Sequence, residues 1–482
     1  MPRKPIVKVS RPLFAEPTFS EGVPTPDPSQ FDVTPDDSAD YTTQVKALLA
    51  TEVVSFPQTS GQPGDLYPLQ NALGSHGPEV IQAINDDENI TFHMIGDSGA
   101  SQTKNFAPMI HVSDAVTNDY HTSNAANRPS FLFHLGDLVY NFGESNYYYD
   151  QFYEPYRDYP APIFAIPGNH DSFVLPGTAK GSEPLTIFQR NFCETQTVVT
   201  QEAGSLHRTA MMQPGVYFAL DAPFVRIIGL FSNALEDPGV ISSQTTQPGA
   251  MAKNMAAAVA AKKGKGKGKG GGGAGGGPKN PPLKTWPAVP DYQLAFLTAQ
   301  LQNIKTSNYK GAVILAVHHP PFSYGLQQAA AGGTKHYGSP LMLAEIDAIC
   351  KQVGVYPHAF ISGHAHNYQR FTRKLNFNGQ NYSVPFIICG DSGHNVNPLV
   401  QSSFGSKPSE PGDNTDVSYM DASAVVQSTG LTLNKHDQTN FGYLRVNAST
   451  TQLIITFNPV PRSGAVPKPD TVTVNLAAHT AA

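Results

Sequence analysis

Short apolar runs recur along the chain from Ile90 onward, and each ends in glycine followed by a polar residue, or in asparagine or histidine. Runs of this length are typical of strands that are buried on both faces of a sheet. We therefore expect buried strands whose polar residues lie at their carboxyl ends or in the loops that follow. The runs are ITFHMIGD, FLFHLGD, PIFAIPGNHD, VRIIGLFSN, VILAVHH, AFISGHAH and FIICGD.

Two segments between these runs, Asp291 to Asn303 and Leu341 to Val353, have apolar residues at helical spacing. Strands that alternate with helices predict an α/β fold, in which ligands gather at the carboxyl ends of the strands. Farther along, FGYLRVNA and QLIITFNP predict a hairpin that closes the domain. The stretch from Gln401 to Asn440 lacks clear periodicity, so we expect it to run over the surface as a loop.

Composition and charge narrow the class of protein. The 482 residues include 42 glycines and 41 prolines, which indicates many long surface connections. A formal net charge of −6 provides no broad basic field, so nucleic acid is not an expected partner. The three cysteines, Cys193, Cys350 and Cys389, are odd in number and widely spaced, which indicates neither a disulfide framework nor a thiolate metal site.

The composition also divides the chain into regions. Residues 1–86 are rich in Pro, Ser, Asp and Thr, with one helix-like piece at Tyr41 to Leu49, and we expect them to pack on a main domain at 87–462. Residues 463–482 would form a C-terminal tail. Within the main domain, residues 251–282 are rich in Lys and Gly and predict a disordered insertion, or alternatively a tether to an anionic polymer or surface.

Neither a secretory signal nor a membrane helix is indicated. The N-terminal residues lack a continuous apolar stretch, and no window approaches the apolar length of a membrane-spanning helix. We expect a soluble protein, cytoplasmic, or secreted if a leader has been removed.

Five polar clusters follow the strand-like runs. Carboxylate, phenolate and amide oxygens together with imidazole nitrogens describe a site for two transition-metal ions. A glycine before many of these residues fits a sharp turn, where a Cβ would collide with metal or phosphate. The clusters are GDSG with Asp97, GDLVY with Asp137 and Tyr140, GNHD with Asn169, His170 and Asp171, VHHPP with His318 and His319, and GHAH with His364 and His366.

In this order the clusters resemble those of the calcineurin-like metallophosphoesterases and, within them, the purple acid phosphatases. The general pattern opens with DxH, but here a glycine, Gly99, stands in the third position and cannot bind metal. Tyr140 in GDLVY would replace the lost ligand, as in the purple branch. GHAHNYQR resembles GHxHxYER, with Gln369 where an acidic residue is usual. The resemblance covers about residues 90–395 and is strong only at the motifs.

The resemblance implies a four-layer α/β fold, with a central β-sandwich of two mixed sheets flanked by helices. It also implies two metal ions, the first Fe(III) and the second Fe(II), Zn(II) or Mn(II), with Asp137 shared between them. Spacing alone does not separate His318 from His319, but the family pattern selects His318. The implied ligands are Asp97, Asp137, Tyr140 and His366 for the first ion, and Asn169, His318, His364 and Asp137 for the second.

Three further residues are candidates for the chemistry. Paired ions lower the pKa of a shared water so that hydroxide can attack phosphorus, and a trivalent ion would allow this at acidic pH. His170 would donate a proton to the leaving oxygen. Asp171 would orient His170, or else cap a short helix. His336, in KHYG, would contact phosphate, or else lie in a solvated loop. Asp391 repeats the GDSG pattern but is not an expected ligand.

The expected activity is hydrolysis of small phosphate monoesters. A phosphodiesterase or nucleotide hydrolase of the same superfamily is an alternative, because the metal ligands do not determine the ester. A protein that binds phosphorylated ligands without turnover is a third hypothesis. Neither the natural substrate nor the oligomeric state follows from the sequence.

Overall fold

The computed structural model describes most of the chain from residue 59 onward. The helix predicted at Tyr41 to Leu49 and the Lys/Gly-rich segment at 251–282 lie outside the described residues, so both stay predictions. The described residues are 59–100, 103–140, 142–172, 185–204, 208–232, 239–241, 292–324, 336, 338–399, 412–421, 423, 426 and 428–482.

These parts of the chain form a mixed α/β fold. The helices are α1 (Leu69–Ala72), α2 (Gly77–Asp86), α3 (Thr103–Thr122), α4 (Asn169–Ser172), α5 (Thr186–Phe192), α6 (Tyr292–Thr306) and α7 (Pro340–Val353), with a π-helical turn at Tyr149–Tyr153. The strands are β1 (Tyr67–Pro68), β2 (Asn89–Ile95), β3 (Leu132–His134), β4 (Ile163–Ala165), β5 (Phe218–Ala222), β6 (Val225–Leu230), β7 (Ala312–Val317), β8 (Ala359–Ser362), β9 (Tyr368–Phe377), β10 (Gln380–Cys389), β11 (Thr415–Asp416), β12 (Ser428–Asp437), β13 (Phe441–Ser449), β14 (Gln452–Val460), β15 (Asp470–Asn475) and β16 (Thr480–Ala481).

Two parallel groups of strands organise the sheet. β2, β3 and β4 pair in parallel, and so do β6, β7, β8 and β10. β13 joins the first group antiparallel to β2 and continues to β14 and β15. The short β16 pairs with both β15 and β10 and so connects the groups. All the described strands belong to one connected sheet, from which β9, β12 and β11 branch at β10, so the predicted division into two sheets is not confirmed.

The sheet curls so that strands far apart in the pairing order face each other. Phe133 of β3 stacks on Phe218 of β5 with ring centroids 5.9 Å apart. A Cβ on Gly229 of β6 would lie 2.8 Å from Cγ2 of Ile166, which follows β4. The apolar residues of the two parallel groups therefore share one core, which holds the carboxyl ends of these strands on one side of the molecule.

The predicted strands and helices are largely confirmed. Every apolar run lies on a strand, α6 and α7 coincide with the two predicted helices, and β13 pairs with β14 as the predicted hairpin. The expectation of a loop throughout 401–440 is wrong for the short β11 and for the longer β12. The latter strand buries only Leu431 and Leu433 fully, and two register shifts against β9 interrupt its alternation, so no clear period was visible.

Both ends of the described chain contact the sheet. β1 pairs with β5, and the adjoining helices bury Leu69 and Ile84. At the other end, β15 and β16 pair within the sheet. The proposed domain boundaries at residues 86 and 462 stay predictions. Among the described helices, none combines the length and apolar character needed to cross a membrane.

Candidate metal centre

The polar clusters meet where the parallel strands end. Asp97 follows β2, Asp137 follows β3 and Asn169 follows β4, while His318 follows β7 and His364 follows β8. All five side chains are almost completely buried. Residues from the two parallel groups therefore converge at one edge of the sheet, as open α/β sheets favour.

Three of these residues have left-handed backbone conformations. The φ angles are 56° at Asp97, 57° at Asp137 and 67° at His364. Non-glycine residues adopt this region rarely, and such strain is found where the surrounding structure holds a functional side chain in place. Each strand thus turns sharply at its end, which directs the side chain into the space between the loops.

A first group of possible metal-ligand atoms, called the first donor group below, comprises atoms of Tyr140, Asp97, Asp137 and His366 and surrounds the Tyr140 hydroxyl. Tyr140 Oη lies 3.3 Å from Asp97 Oδ1, 3.3 Å from Asp137 Oδ2 and 3.3 Å from His366 Nε2. His366 Nε2 is also 3.4 Å from Asp97 Oδ1. Four residues from three loops thus place donor atoms around one point.

A second group of possible metal-ligand atoms, the second donor group, comprises atoms of Asn169, His318, His364 and Asp137 and surrounds the Asn169 amide oxygen. Asn169 Oδ1 lies 3.1 Å from His318 Nε2 and 3.1 Å from His364 Nδ1. His318 Nε2 lies 3.2 Å from Asp137 Oδ2, the same oxygen atom that contacts Tyr140. Ligand atoms of Asp137, His318 and His364 all lie within 4.8 Å of one another. Asp137 Oδ2 therefore belongs to both donor groups.

The spacing of these donors fits metal coordination. Metal–nitrogen and metal–oxygen bonds of about 2.0–2.2 Å separate neighbouring ligands by roughly 3.0–3.4 Å in tetrahedral or octahedral sites. The donor atoms here are 3.1 to 3.4 Å apart. The described residues therefore have the spacing of metal ligands, and Asp137 Oδ2 is close enough to contribute to both groups.

The charges of the site favour a cation. Burial raises the pKa of Asp97, and the neighbouring Asp137 carboxylate adds to that rise. Burial would also raise the pKa of Asp137, but the facing His318 and His170 outweigh it and lower the pKa. Burial lowers the pKa of His318, but Asp137, Asp97 and the Leu135 carbonyl together outweigh it and raise the pKa to about 9. A metal cation in place of the proton on His318 would balance the negative charges of the Asp97 and Asp137 carboxylates.

The two adjacent histidines after β7 have different surroundings. His318 Nδ1 lies 2.8 Å from the Leu135 carbonyl oxygen, which fixes the ring so that Nε2 faces Asp137. His319 Nδ1 lies 2.9 Å from Ser232 Oγ, and its ring packs against His364 at a centroid distance of 4.1 Å. The donor atom in the second group therefore comes from His318.

One part of the chain, which includes the loops after β2, β3 and β4, matches a known protein family. Residues 90–218 match the family model of the calcineurin-like phosphoesterases. The match includes Asp97, Asp137, Tyr140 and Asn169. None of the curated proteins matches this chain. A solved structure, "Structure of PhoD", aligns at 11% identity over 81% of this chain and 70% of that chain, with a TM-score of 0.42, which is too low to support an inference.

Glycines in the loops that carry these side chains leave room for protein atoms. A Cβ on Gly168 would lie 2.0 Å from Asp137 Oδ1, and one on Gly363 would lie 2.6 Å from Asp97 Oδ2. A Cβ on Gly99 would lie 2.4 Å from the Leu138 carbonyl oxygen. Cβ atoms at Gly168 and Gly363 would thus collide with the carboxylates of Asp137 and Asp97. The expectation that a glycine before a ligand also spares a metal or phosphate stays a prediction.

The predicted chemical residues also lie at the site. The His170 ring packs on the Tyr140 ring at 4.2 Å, and its backbone N–H donates to Asp137 Oδ1 at 2.9 Å. His336 is partly buried, and its ring lies 4.7 Å from the His364 ring and 4.6 Å from the His366 ring. His336 thus contacts one histidine of each donor group.

Asp171 has a position that favours a different role from the one predicted. Its carboxylate accepts backbone N–H groups from Asp137 at 2.7 Å, Leu138 at 3.0 Å, Val139 at 3.2 Å and Gly168 at 2.9 Å. Burial and the neighbouring Asp137 carboxylate raise the pKa of Asp171, and the N–H groups of Gly168 and Val139 oppose the rise. The carboxylate holds the loop of Asp137 against the loop of Asn169, so a catalytic role for Asp171 stays a prediction.

Sequence reasoning missed two residues that contact Tyr140. His394 stacks on the Tyr140 ring at 3.6 Å with an interplanar angle of 5°. Gln151 hydrogen-bonds to the Tyr140 backbone. His394 directly follows the second GDSG, whose Asp391 belongs to neither donor group. The available signal for Gln151 was a single glutamine within the aromatic run NYYYDQFYEPY.

Proposed function

We propose that this chain is a metal-dependent phosphoric ester hydrolase that holds two cations in the two donor groups. The observation that carries the proposal is Asp137 Oδ2, which lies 3.3 Å from Tyr140 Oη and 3.2 Å from His318 Nε2 and so completes both groups. The calcineurin-like phosphoesterase match over residues 90–218 supports the reaction class.

Residues of the chain would have separate tasks in this reaction. Two cations held side by side lower the pKa of a water molecule and neutralise phosphate oxygens. His336, which contacts His364 and His366, would bind a phosphate oxygen beside both cations. His170, which packs on Tyr140, would donate a proton to the leaving oxygen. Asp171 would hold the loops of Asp137 and Asn169 together.

Metal content tests the shared ligand. Asp137→Asn should abolish tight binding of both metals, because the lost charge belongs to both groups. Tyr140→Phe should weaken only one. The control is Asp391→Asn, which removes another fully buried carboxylate that is in neither group and should leave two metals per chain. Equal metal contents for Asp137→Asn and Tyr140→Phe would contradict the proposal.

Within this class, we assign the first group to Fe(III) and the second to Fe(II), Zn(II) or Mn(II), as in purple acid phosphatases. Supporting this assignment, Tyr140 supplies a phenol oxygen to the first group, while Gly99 has no space for a ligand side chain. Phenolate bound to iron(III) gives a visible charge-transfer band. The purified protein should show that band, and Tyr140→Phe should lose it. An active, colourless protein that holds iron would contradict the assignment.

The proposed substrates are phosphate monoesters, cleaved at acidic pH. Turnover of a monoester and a diester of the same chromophoric alcohol tests this, since a higher kcat/KM for the diester would favour the phosphodiesterase alternative. Asn169→Ala removes the central donor of the second group and should abolish turnover of either ester. If Asn169→Ala leaves hydrolysis unchanged, the site is not the hydrolytic centre, and a phosphate-binding function is favoured.

A further inference from the structure

Gln151 is completely buried and binds the backbone of Tyr140 at two atoms. Its Oε1 accepts the Tyr140 N–H at 2.9 Å, and its Nε2 donates to the Tyr140 carbonyl oxygen at 3.0 Å. The amide thus pairs with one residue as a neighbouring strand would. Tyr140 lies just beyond β3 in a loop, where no strand pairing holds its backbone.

The segment that carries Gln151 has an unusual conformation. Gln151 lies at the centre of the π-helical turn Tyr149–Tyr153, and single π-helical turns are frequent at functional sites. The neighbouring side chains Tyr148, Phe152 and Tyr153 are buried and aromatic. A buried amide in such surroundings is costly unless both of its polar ends are bonded, and both ends of Gln151 bond to Tyr140.

Gln151 also occupies the space beside Gly99. A Cβ on Gly99 would lie 2.5 Å from Gln151 Oε1, so the amide and a side chain at position 99 exclude each other. Gln151 therefore holds Tyr140 and also fills the space next to Gly99. Gly99 is the position whose missing metal ligand Tyr140 would replace. With Gln151 in this position, a metal ligand can come from position 140 but not from a side chain at position 99.

We propose that Gln151 is a positioning residue that holds Tyr140 Oη within the first donor group and so determines the metal affinity of that group. This inference rests on the proposed function, because it requires a metal in the first group. Gln151 has no donor atom in the group and acts only through the backbone of Tyr140.

Other buried glutamines provide a comparison. Gln213 bonds in the same way to the backbone of Ala165, and Gln293 to that of Phe231. Gln300 donates to the carbonyl oxygens of Pro63 and Asp65, which lie in neither donor group. Gln300→Leu therefore removes a buried amide with two backbone hydrogen bonds, as Gln151→Leu does, and is the matched control.

A double-mutant cycle between Gln151 and Tyr140 tests the inference. The full-length protein is stripped of metal and titrated with Zn(II) against a chromophoric chelator. Gln151→Leu should lower the affinity of one site by about 10–100-fold, the usual range for residues that support a metal ligand. In the Tyr140→Phe background, Gln151→Leu should cause no further loss. Gln300→Leu should leave both affinities unchanged in either background.

The outcomes separate this inference from the proposed function. An equal loss for Gln151→Leu with and without the Tyr140 hydroxyl would overturn the inference alone. A wild-type protein that binds no Zn(II) would overturn the proposed function and the inference with it. If Gln151→Leu is insoluble, the cycle uses Gln151→Glu, which can accept from the Tyr140 N–H but, when ionised, cannot donate to its carbonyl. A loss that disappears in Tyr140→Phe again supports the inference, and a loss that persists overturns it.

Discussion

The rings of His394 and Tyr140 stack at a centroid distance of 3.6 Å with only 5° between their planes. His394 Nδ1 also lies 2.8 Å from the carbonyl oxygen of Gly99, so the ring is held from a second direction. The loop after β10 therefore supports the phenol of the first donor group, although it supplies no atom to that group.

Replacing His394 should separate stacking from hydrogen bonding. His394→Phe keeps a ring against Tyr140, so we expect less than a 10-fold change in metal affinity. His394→Ala removes the ring and should lower the affinity of the first site by about 10–100-fold. Zn(II) titration measures both variants. Equal losses would show that the bond to Gly99, and not the stack, supports Tyr140.

Asp171→Asn should destabilise the protein. The asparagine has one carbonyl oxygen where the carboxylate accepts four N–H groups, and each buried N–H left without a partner costs about 1–3 kcal/mol. Urea unfolding of the metal-free protein should show a loss of about 2–4 kcal/mol. Asp158→Asn, at an exposed carboxylate, is the control. Unchanged stability with abolished turnover would instead indicate the catalytic role first predicted for Asp171.

Gly168→Ala should disrupt the metal centre. The new Cβ would lie 2.0 Å from Asp137 Oδ1, so the shared carboxylate must move. We expect loss of both metals and a fall in kcat of more than about 100-fold, since a displacement of about 1 Å in a catalytic group has effects of this size. Gly64→Ala, whose Cβ would meet its nearest neighbour at 3.9 Å, should retain the activity of the wild type. A fully metallated Gly168→Ala protein would contradict the expected collision.

Stability should depend on pH through a histidine far from the metal centre. Burial lowers the pKa of His358 from 6.5 to about 3, and its Nδ1 accepts the Val313 N–H at 2.9 Å. Between these pH values only the unfolded chain binds a proton at His358, so this residue should contribute a fall of about 1.4 kcal/mol in the free energy of unfolding for each pH unit below 6.5. That stability is fully present above pH 6.5.

His358→Asn should reduce the slope of this dependence, because the asparagine oxygen can still accept from the Val313 N–H but does not titrate. Urea unfolding at pH 7, 6 and 5 compares the slopes of the two proteins. His76→Asn, at an exposed histidine, should keep the slope of the wild type. Identical slopes for the wild type and His358→Asn would show that His358 does not contribute.

The positions of most strands and helices follow from local pattern, and so do the candidate donors. Continuous apolar runs predicted the strands β2, β3 and β4. The polar residues after the carboxyl ends of these strands, Asp97, Asp137 and Asn169, were the predicted ligands. The strand β12 was not predicted, because few of its residues are buried and its pairing with β9 is irregular.

The sequence by itself therefore determined which segments are buried and which residue types lie at their ends, because these depend on neighbouring residues and on the period of each element. Only the tertiary structure decided that one oxygen of Asp137 completes both donor groups, that Asp171 holds the loops, and that Gln151 and His394 hold Tyr140. Those contacts join loops far apart along the chain. Their geometry depends on how the whole sheet curls, which no local period records.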